Sequence, residues 1–272
     1  MVAITSLVAA PHVMFAQREA SPVTAHPSDT TGTPFFRSQD ITLIAAGIVL
    51  SGEVSQRDTK IARYFRSSSV QGGDSTLVKR LTNVNETTLA AASLLGYGVG
   101  RLTHSATLTD VSAHVGEAVL LTSIVSQAIR GPFGRARPYV TNDDNNSDFH
   151  IKKGFTSYDY RSLPSLHSAS AFAVASALTT EMSERHVGAR WIVAPLLYGA
   201  ATIPGLTRMY LDQHWASDVV MGAFTGAFLG AKVVHHAHAN RRHRLDRFLL
   251  GASVVPDTRG GAALAWNVPL AH

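Results

Sequence analysis

A helical period of apolar residues dominates the middle of this chain. Between Ser38 and about Arg247, apolar residues recur at three- and four-residue spacing, and clusters of Gly, Pro, Asn and Asp interrupt them. That period places apolar side chains on one face of a helix, whereas a strand would alternate residue by residue. We therefore expect an all-α fold, a helical bundle of about six or seven helices. The predicted helices cover residues 39–52, 56–68, 75–103, 108–130, 165–185, 189–203 and 214–240.

Two regions flank this helical domain, which is expected to cover residues 37–248. Residues 1–36 hold an apolar start, which is either a signal segment or a disordered end, and then a flexible linker rich in Ser, Thr and Pro. In the tail, residues 249–272, two short stretches (249–255 and 261–268) flank a Pro-Asp-Thr-Arg-Gly-Gly turn, which predicts a β-hairpin. An isolated hairpin is marginal in water, so we expect it to pack on the helices or on a partner.

The composition excludes several kinds of site. Because 45% of the residues are hydrophobic and 16% are charged, the chain can bury a large core. It has no cysteine, which rules out disulfides, thiolate metal sites and a cysteine nucleophile. The formal net charge of +5 suits phosphorylated small molecules or an anionic lipid surface. No basic run with interleaved aromatic residues occurs, so no nucleic-acid partner is expected, and the oligomeric state stays open.

The apolar segments are close to the length that a membrane span requires. A spanning helix needs about 20 mostly apolar residues. Most segments here are shorter, and several carry Glu117, Lys232 or a proline. This pattern favours buried core helices in a soluble or peripheral protein, located in the periplasm or associated with the cell envelope, and an integral membrane protein is the alternative. The segments are Ile41–Leu50, Thr88–Gly100, Val115–Ile129, Trp191–Thr207 and Val219–Val234.

His214 and Asp218 lie four residues apart at the start of the last predicted helix. Their side chains therefore share one face, one turn apart. A carboxylate there can accept a hydrogen bond from the imidazole Nδ1–H, which leaves the Nε2 lone pair free to attack phosphorus. A surface pair at this spacing is the common alternative. Steps of four from Asp218 reach Gly222, Gly226 and Gly230, which indicate close packing against another helix and favour a buried pair.

Arginines and a second histidine lie in neighbouring clusters. The guanidinium groups of Arg130, Arg137 and Arg208 offer planar sets of donors that match phosphate oxygens, although residues 130–137 could equally form a solvated basic loop. Ser165 follows a proline and could simply cap the next helix. His167, just inside that helix, could donate a proton to a leaving group.

Three motifs in order carry a resemblance to a known family. They are Arg130-x6-Arg137-Pro138, Pro164-Ser165-Leu166-His167 and Thr207-Arg208-x5-His214-x3-Asp218. In order and spacing they resemble the type 2 phosphatidic acid phosphatase superfamily, which includes bacterial class A acid phosphatases and vanadium haloperoxidases. That family's pattern is Lys-x6-Arg-Pro, Pro-Ser-Gly-His and Ser-Arg-x5-His-x3-Asp. The resemblance spans about Ser38 to His236.

Three departures from the family pattern affect the site. Arg130 replaces lysine and is longer and planar. Leu166 replaces glycine, so that a backbone N–H remains while the dihedral angles reserved for glycine are lost. Thr207 replaces serine and keeps the hydroxyl group.

The resemblance implies a metal-independent phosphatase that hydrolyses phosphate monoesters or pyrophosphates, including lipid phosphates, through a phosphohistidine. It implies that His214 is the nucleophile, Asp218 its orienting carboxylate, and His167 the general acid and then the base. It implies phosphate binding by Arg130, Arg137, Ser165, Leu166 and Arg208. No cofactor and no metal are expected, and vanadate is expected to inhibit.

Two other functions compete with the phosphatase hypothesis. A vanadate-dependent haloperoxidase would use the same pocket, but the resemblance places those enzymes among larger chains that keep the lysine. A non-catalytic anion-binding envelope protein would account for the basic tail. The segment with His235, His236, His238 and His243 could bind a metal or anionic lipid, although a solvated basic helix end is favoured. The substrate stays open, and the polar loop 139–163 is expected to select it.

Overall fold

The computed structural model describes residues 33–72 and 75–240, and for residues 252–256 and 262–266 the backbone alone. Between residues 33 and 240 the described chain is helical, which confirms the all-α prediction, but this part of the chain has ten helices and not the predicted six or seven. Two single 3₁₀ turns, Pro138–Val140 and Tyr158–Tyr160, lie between the sixth and eighth helices. The helices are α1 (Ser38–Ser55), α2 (Asp58–Arg66), α3 (Ser68–Gln71), α4 (Thr76–Leu81), α5 (Glu86–Leu102), α6 (Ala106–Phe133), α7 (Lys153–Thr156), α8 (Leu166–Glu184), α9 (Arg190–Tyr210) and α10 (Ala216–Ala239).

The single helix predicted over residues 75–103 is wrong, because Asn85 starts a new helix there. Asn85 has an extended backbone, and its Oδ1 accepts the N–H groups of Thr87 and Thr88 at 3.0 and 3.1 Å. An asparagine N-cap satisfies donors that the first helical turn leaves without partners. The apolar period runs across this break, so the period alone does not reveal it.

Helix α9 continues to Tyr210, past the predicted end at residue 203. Pro204 lies inside the helix, and its carbonyl oxygen accepts the Thr207 hydroxyl at 2.8 Å. As a result Arg208 lies on the last turn of a long helix, which positions its guanidinium more firmly than a loop would.

Helices α8 and α10 run side by side in the same direction, and glycines allow their close approach. A Cβ atom at Gly222 would overlap the Ser165 carbonyl oxygen, and one at Gly226 would overlap that of Ala169. This confirms the packing predicted from the glycine spacing. Because the helices are parallel, their N-termini meet at one end, where the Ser165 N–H donates to the Asp218 carbonyl at 2.9 Å.

The chain ends differ in how far the structure describes them. The last part of the predicted linker, residues 33–36, packs on α10: Phe35 lies edge-on to His236 at 5.2 Å and Phe36 stacks on Phe228 at 6.4 Å, centroid to centroid. The predicted signal segment lies outside the described residues.

Two stretches of backbone, β1 (Ala252–Pro256) and β2 (Ala262–Trp266), run antiparallel. Their turn and side chains lie outside the described residues, so the hairpin stays a prediction.

Several helices expose large apolar side chains. The expectation of buried core helices is wrong for α1, α5 and α9, each of which presents an exposed apolar face. A water-soluble surface seldom carries apolar patches of this extent. Helices α6 and α10 are also long and apolar enough to cross a membrane. Both observations indicate membrane association. The most exposed of these side chains are Ile41, Val49, Leu94, Leu95, Leu102, Trp191, Ile192 and Leu196.

Candidate active site

His214 lies in the short connection between α9 and α10 and is 2% exposed. Its Nδ1 is 2.7 Å from the Ser162 carbonyl oxygen. A carbonyl can only accept, so Nδ1 carries the proton and Nε2 carries the lone pair. Burial, and then the positive charges of Arg137, Arg130 and Arg208, hold the pKa of His214 well below its usual value. The imidazole is therefore neutral at pH 7, as a nucleophile must be.

Asp218 does not orient His214 by the expected direct hydrogen bond. Its Oδ2 lies 3.8 Å from His214 Nδ1, whereas the same oxygen accepts the Ser162 hydroxyl and the Trp215 backbone N–H. The reason is that Asp218 is the third residue of α10, and its carboxylate turns back to cap the helix. Ser162 links the two residues, because its hydroxyl donates to Asp218 while its carbonyl accepts from His214.

Arg135 joins this network from the loop after α6. Its Nη1 donates to Asp218 Oδ1 at 2.6 Å, and its Nη2 donates to Asp58 Oδ2 at 2.8 Å. Asp58, at the start of α2, in turn accepts the Ser217 N–H at 2.9 Å. Burial raises the pKa of Asp58, while Ser217 and Arg135 act in the opposite direction. One buried guanidinium thus pairs with two buried carboxylates beneath His214.

Arg130 and Arg137 are both buried near His214, and both are anchored by backbone oxygens. Arg130 Nε donates to the Pro164 carbonyl at 2.8 Å, and Arg137 Nη1 donates to the Gln213 carbonyl at 2.7 Å. Burial, above all, and the charge of Arg208 lower the pKa of Arg137, whose guanidinium stays cationic at pH 7. These anchors fix where the remaining N–H groups lie before any anion arrives.

Two buried polar atoms beside these arginines have no partner among the described residues. They are the Ser165 hydroxyl oxygen and Arg208 Nε. Ser165 occupies the N-cap position of α8, as the capping alternative predicted, but its side chain makes no capping hydrogen bond. Unsatisfied buried polar atoms cost free energy, so a site that retains these two suits an anion that accepts hydrogen bonds from them.

The first turn of α8 supplies the rest of the site. Leu166 is its first residue and is 4% exposed. First-turn N–H groups have no acceptor within their own helix, and the positive end of the helix dipole favours an anion there. Leu166 therefore offers the backbone donor that the sequence predicted, while its side chain is buried.

His167 is the second residue of α8 and faces the same three arginines. Burial, then the charges of Arg208, Arg130 and Arg137, lower the pKa of His167 to about 3. Without an anion the ring is neutral. A phosphate dianion bound among the arginines would offset their charge and raise that pKa, so His167 can take up a proton when substrate binds.

The structure thus places all eight residues predicted for the site at one end of the bundle. Sequence reasoning missed Ser162, Asp58 and the role of Arg135. Arg135 was visible only as one charge of a basic loop, and Asp58 lies in a different helix with no motif around it. Only the fold brings Asp58 to the start of α10. The eight are His214, His167, Asp218, Arg130, Arg137, Ser165, Leu166 and Arg208.

The connection between α6 and α8, which supplies Arg135 and Ser162 to the site, exposes apolar and aromatic side chains. The segment before α8 exposes Ile151 (82%) and Phe155 (59%), and Phe133 at the end of α6 is 54% exposed. Lys152 and Lys153 lie between the first two. Exposed apolar side chains with basic residues among them therefore lie in the same connection as part of the site.

One family model matches the part of the chain that holds this site. The model of the PAP2 superfamily matches residues 112–242, a range that contains all three motifs. No curated protein sequence matches this chain significantly. Among solved structures, a transmembrane PAP2-type phosphatidylglycerolphosphate phosphatase from Bacillus subtilis aligns with a TM-score of 0.48 and 20% identity, over 75% of this chain and 98% of that one. At that level of similarity no substrate or residue role transfers.

The matched region runs from α6, where Arg130 lies, through the α8 start to the end of α10. It thus covers the arginines, both histidines and Asp218, which the structure brings to one buried site. Through residues 112–242, this chain matches the PAP2 superfamily, which supports its assignment as a phosphatase.

Proposed function

We propose that this phosphatase hydrolyses lipid phosphates without a metal, through a phosphohistidine on His214. The observation that carries the proposal is the 2.7 Å hydrogen bond between His214 Nδ1 and the Ser162 carbonyl. It holds the proton on Nδ1, and it leaves a neutral Nε2 among three guanidinium groups. A buried neutral imidazole in a cationic pocket suits attack on a phosphate dianion.

The first step forms a bond between His214 Nε2 and phosphorus and breaks the bond from phosphorus to the leaving oxygen. His167, protonated once the dianion is bound, donates its proton to that oxygen, and the alcohol departs. The positive charge that develops on the His214 ring is stabilised through Nδ1–H by the Ser162 carbonyl, whose hydroxyl is held by Asp218.

The second step uses water. Neutral His167 now accepts a proton from the water as its oxygen attacks phosphorus. The P–N bond breaks, its electron pair returns to Nε2, and inorganic phosphate leaves. His167 ends protonated and His214 ends neutral. Once the phosphate product has left, the site can bind the next substrate.

The arginines supply the positive charge that a divalent cation would otherwise bring. Arg130, Arg137 and Arg208 are all less than a tenth exposed, and backbone oxygens fix two of them. Preorganised donors in a site that excludes water stabilise the equatorial oxygens of the transferring phosphoryl group. Ser165 and the Leu166 N–H add neutral donors.

A lipid substrate is supported by the surface around the site. Apolar faces on α1, α5 and α9 suit a membrane. We place the entrance to the site beside Phe133, Ile151 and Phe155, whose exposed side chains suit the membrane interface. Lys152 and Lys153 add attraction to anionic headgroups. A phosphate headgroup could then enter the cationic pocket while its acyl chains stay in the bilayer.

Turnover of phosphatidate in mixed micelles, compared with p-nitrophenyl phosphate, tests the proposal in the full chain with EDTA present. We expect phosphatidate to have at least about tenfold higher kcat/KM, and His214→Asn to abolish turnover of both. Near-normal turnover by His214→Asn would overturn the mechanism. Equal kcat/KM for both substrates would overturn the lipid assignment alone, and bromide oxidation in vanadate without phosphatase activity would indicate the haloperoxidase instead.

A matched pair of surface variants isolates the lipid contact. Ile151→Ser, at the entrance, should lower phosphatidate turnover and leave p-nitrophenyl phosphate unchanged. Val187→Ser, in the exposed connection between α8 and α9, should leave both unchanged. Unaltered phosphatidate turnover by Ile151→Ser would contradict a membrane-facing entrance.

A further inference from the structure

A second cluster of ionisable side chains lies at the opposite end of the bundle from His214. It consists of His114 on α6, Glu181 on α8 and His238 on α10, with one residue from each of three packed helices. Glu181 follows His167 by 14 residues along the same helix, which corresponds to about 21 Å. The cluster is therefore separate from the active site, and the phosphatase chemistry makes no use of it.

The three side chains converge on a single point. His114 Nδ1 contacts Glu181 Oε1, and His238 Nε2 lies 3.1 Å from the same oxygen. Potential ligand atoms of all three lie within 4.8 Å of one another. The two imidazole rings are 5.8 Å apart between centroids. Two imidazoles bound to one tetrahedral zinc, with Zn–N distances of about 2.0–2.1 Å, would have ring centroids about 5 Å apart. A small movement of the side chains would therefore bring the two histidine rings from their present positions to those of a zinc site.

The other carboxylate oxygen of Glu181 is already held. Arg185 Nε donates to Oε2 at 2.8 Å, and Arg185 Nη2 lies 3.4 Å from Asp110 Oδ2. Arg185 thus fixes the orientation of the carboxylate and leaves Oε1 facing the two histidines. Outer hydrogen bonds of this kind orient metal-ligating groups, and Asp110 partly offsets the charge of Arg185.

Because the cluster is buried, the charge of Glu181 needs partners close by. Glu181 is 2% exposed and His114 is 8% exposed, among helices with apolar surfaces. Hydrogen bonds from both imidazoles to Glu181 would satisfy one carboxylate oxygen, and this is the alternative arrangement. Two histidines and one carboxylate are, however, a donor set suited to zinc and similar divalent transition metals.

We propose that His114, Glu181 and His238 bind one divalent transition-metal ion, with zinc as the best match, that ties α6, α8 and α10 together away from the active site. His238, with a side chain that is 19% exposed, lies on the accessible side, where water can complete a tetrahedral site. The ion would stabilise the fold and take no part in phosphoryl transfer.

Zinc binding to the full chain, purified in detergent without a histidine tag and stripped of metal, tests the site. We expect one zinc per chain by elemental analysis and by titration calorimetry, and a rise in Tm on adding zinc. His114→Gln with His238→Gln should weaken zinc binding at least about 100-fold and remove the rise in Tm. Turnover well below Tm should be the same with and without zinc.

His235→Gln is the matched control, because His235 lies on the same end of α10 and pairs with Glu184 at 2.8 Å, outside the cluster. It should keep both the stoichiometry and the rise in Tm. The proposal is overturned if the wild-type chain binds no stoichiometric zinc. It is also overturned if the double variant binds zinc as tightly as His235→Gln does, or if Glu181→Gln leaves the affinity unchanged.

Discussion

Arg135 and Asp218 form a buried ion pair, with Arg135 Nη1 2.6 Å from Asp218 Oδ1 and side chains that are 4% and 0% exposed. The backbone carbonyl of Arg135 also accepts the Ser162 N–H at 3.1 Å. Ser162 is thereby held by Arg135 on its backbone and by Asp218 on its side chain. Since Ser162 presents the carbonyl that fixes the tautomer of His214, this ion pair positions the proposed nucleophile although neither side chain forms a hydrogen bond with it.

Arg135→Lys should therefore damage catalysis and stability together. Lysine keeps the charge but cannot donate to Asp58 and Asp218 in two directions as the guanidinium does. We expect kcat to fall at least about tenfold while KM stays within about threefold, and the free energy of unfolding to fall by about 2–4 kcal/mol. Steady-state kinetics and thermal unfolding measure both changes.

Arg161→Lys provides the comparison for Arg135→Lys, because Arg161 lies in the same connection but binds the carbonyls of Gly154 and Phe155. It should change kcat by less than about threefold. A loss in Arg161→Lys as large as that in Arg135→Lys would show that the connection as a whole matters, and not the network under His214.

His167→Ala should impair substrates according to their leaving groups. An alkoxide leaves poorly without a proton, whereas p-nitrophenolate leaves readily. We expect kcat for an alkyl phosphate to fall about 10²–10⁴-fold, and kcat for p-nitrophenyl phosphate to fall much less. Equal losses on both substrates would assign His167 to binding and not to proton transfer.

Asp212→Asn should remove a pH dependence of stability. Burial, then the hydrogen bond and charge of Asp143, raise the pKa of Asp212 to about 7, against the opposing charge of Arg66. The pKa of Asp212 in the folded state lies above its unfolded value of 3.8. The contribution of Asp212 to the free energy of unfolding is therefore complete below about pH 4 and is lost as the pH rises through about 7. After allowance for partial exposure, the loss should be about 1–2 kcal/mol.

Unfolding by denaturant between pH 4 and pH 8 measures this slope. Asn keeps the left-handed backbone of Asp212, where φ is 58°, so the substitution removes the charge without straining the turn. A slope in Asp212→Asn equal to that of the wild type would assign the pH dependence to another group.

Vanadate should inhibit more tightly than phosphate, and EDTA should leave the initial rate intact. Vanadate adopts a five-coordinate geometry that resembles the transferring phosphoryl group, and donors placed for that geometry favour it over ground-state phosphate. Ser165→Ala should narrow the difference between the two inhibition constants, because it removes one donor. Complete loss of activity in EDTA, restored by a divalent ion, would show that the arginines do not suffice.

The motifs were sufficient to predict which residues meet. Their residue types all suit phosphoryl transfer, and the glycine spacing of α10 predicts the close packing that brings the starts of α8 and α10 together. They were insufficient to predict how those residues are joined. The spacing of His214 and Asp218 indicated a direct hydrogen bond, but capping of α10 competes for the same carboxylate. Asp58 is more than 150 residues from Asp218 and carries no motif, so only tertiary packing reveals their shared arginine.

The exposed helices show a different limit of sequence reasoning. Segments such as Ile41–Leu50 are too short and too interrupted to indicate a membrane by length, so buried core helices were predicted. The period shows that a helix has an apolar face, but it does not show whether protein or lipid covers that face. For α1, α5 and α9 the structure shows that no described residue of this chain covers that face.

Trapping the covalent intermediate tests the central claim most directly. Rapid acid-free quenching during turnover of a labelled substrate should leave phosphate bound to the protein through a bond that survives alkali and is lost in acid, as a phosphoramidate is. Peptide mapping should place the label on His214, and His214→Ala should carry none. A label on another residue, or wild-type turnover with no labelled protein when hydrolysis of the intermediate is slowed, would contradict the account.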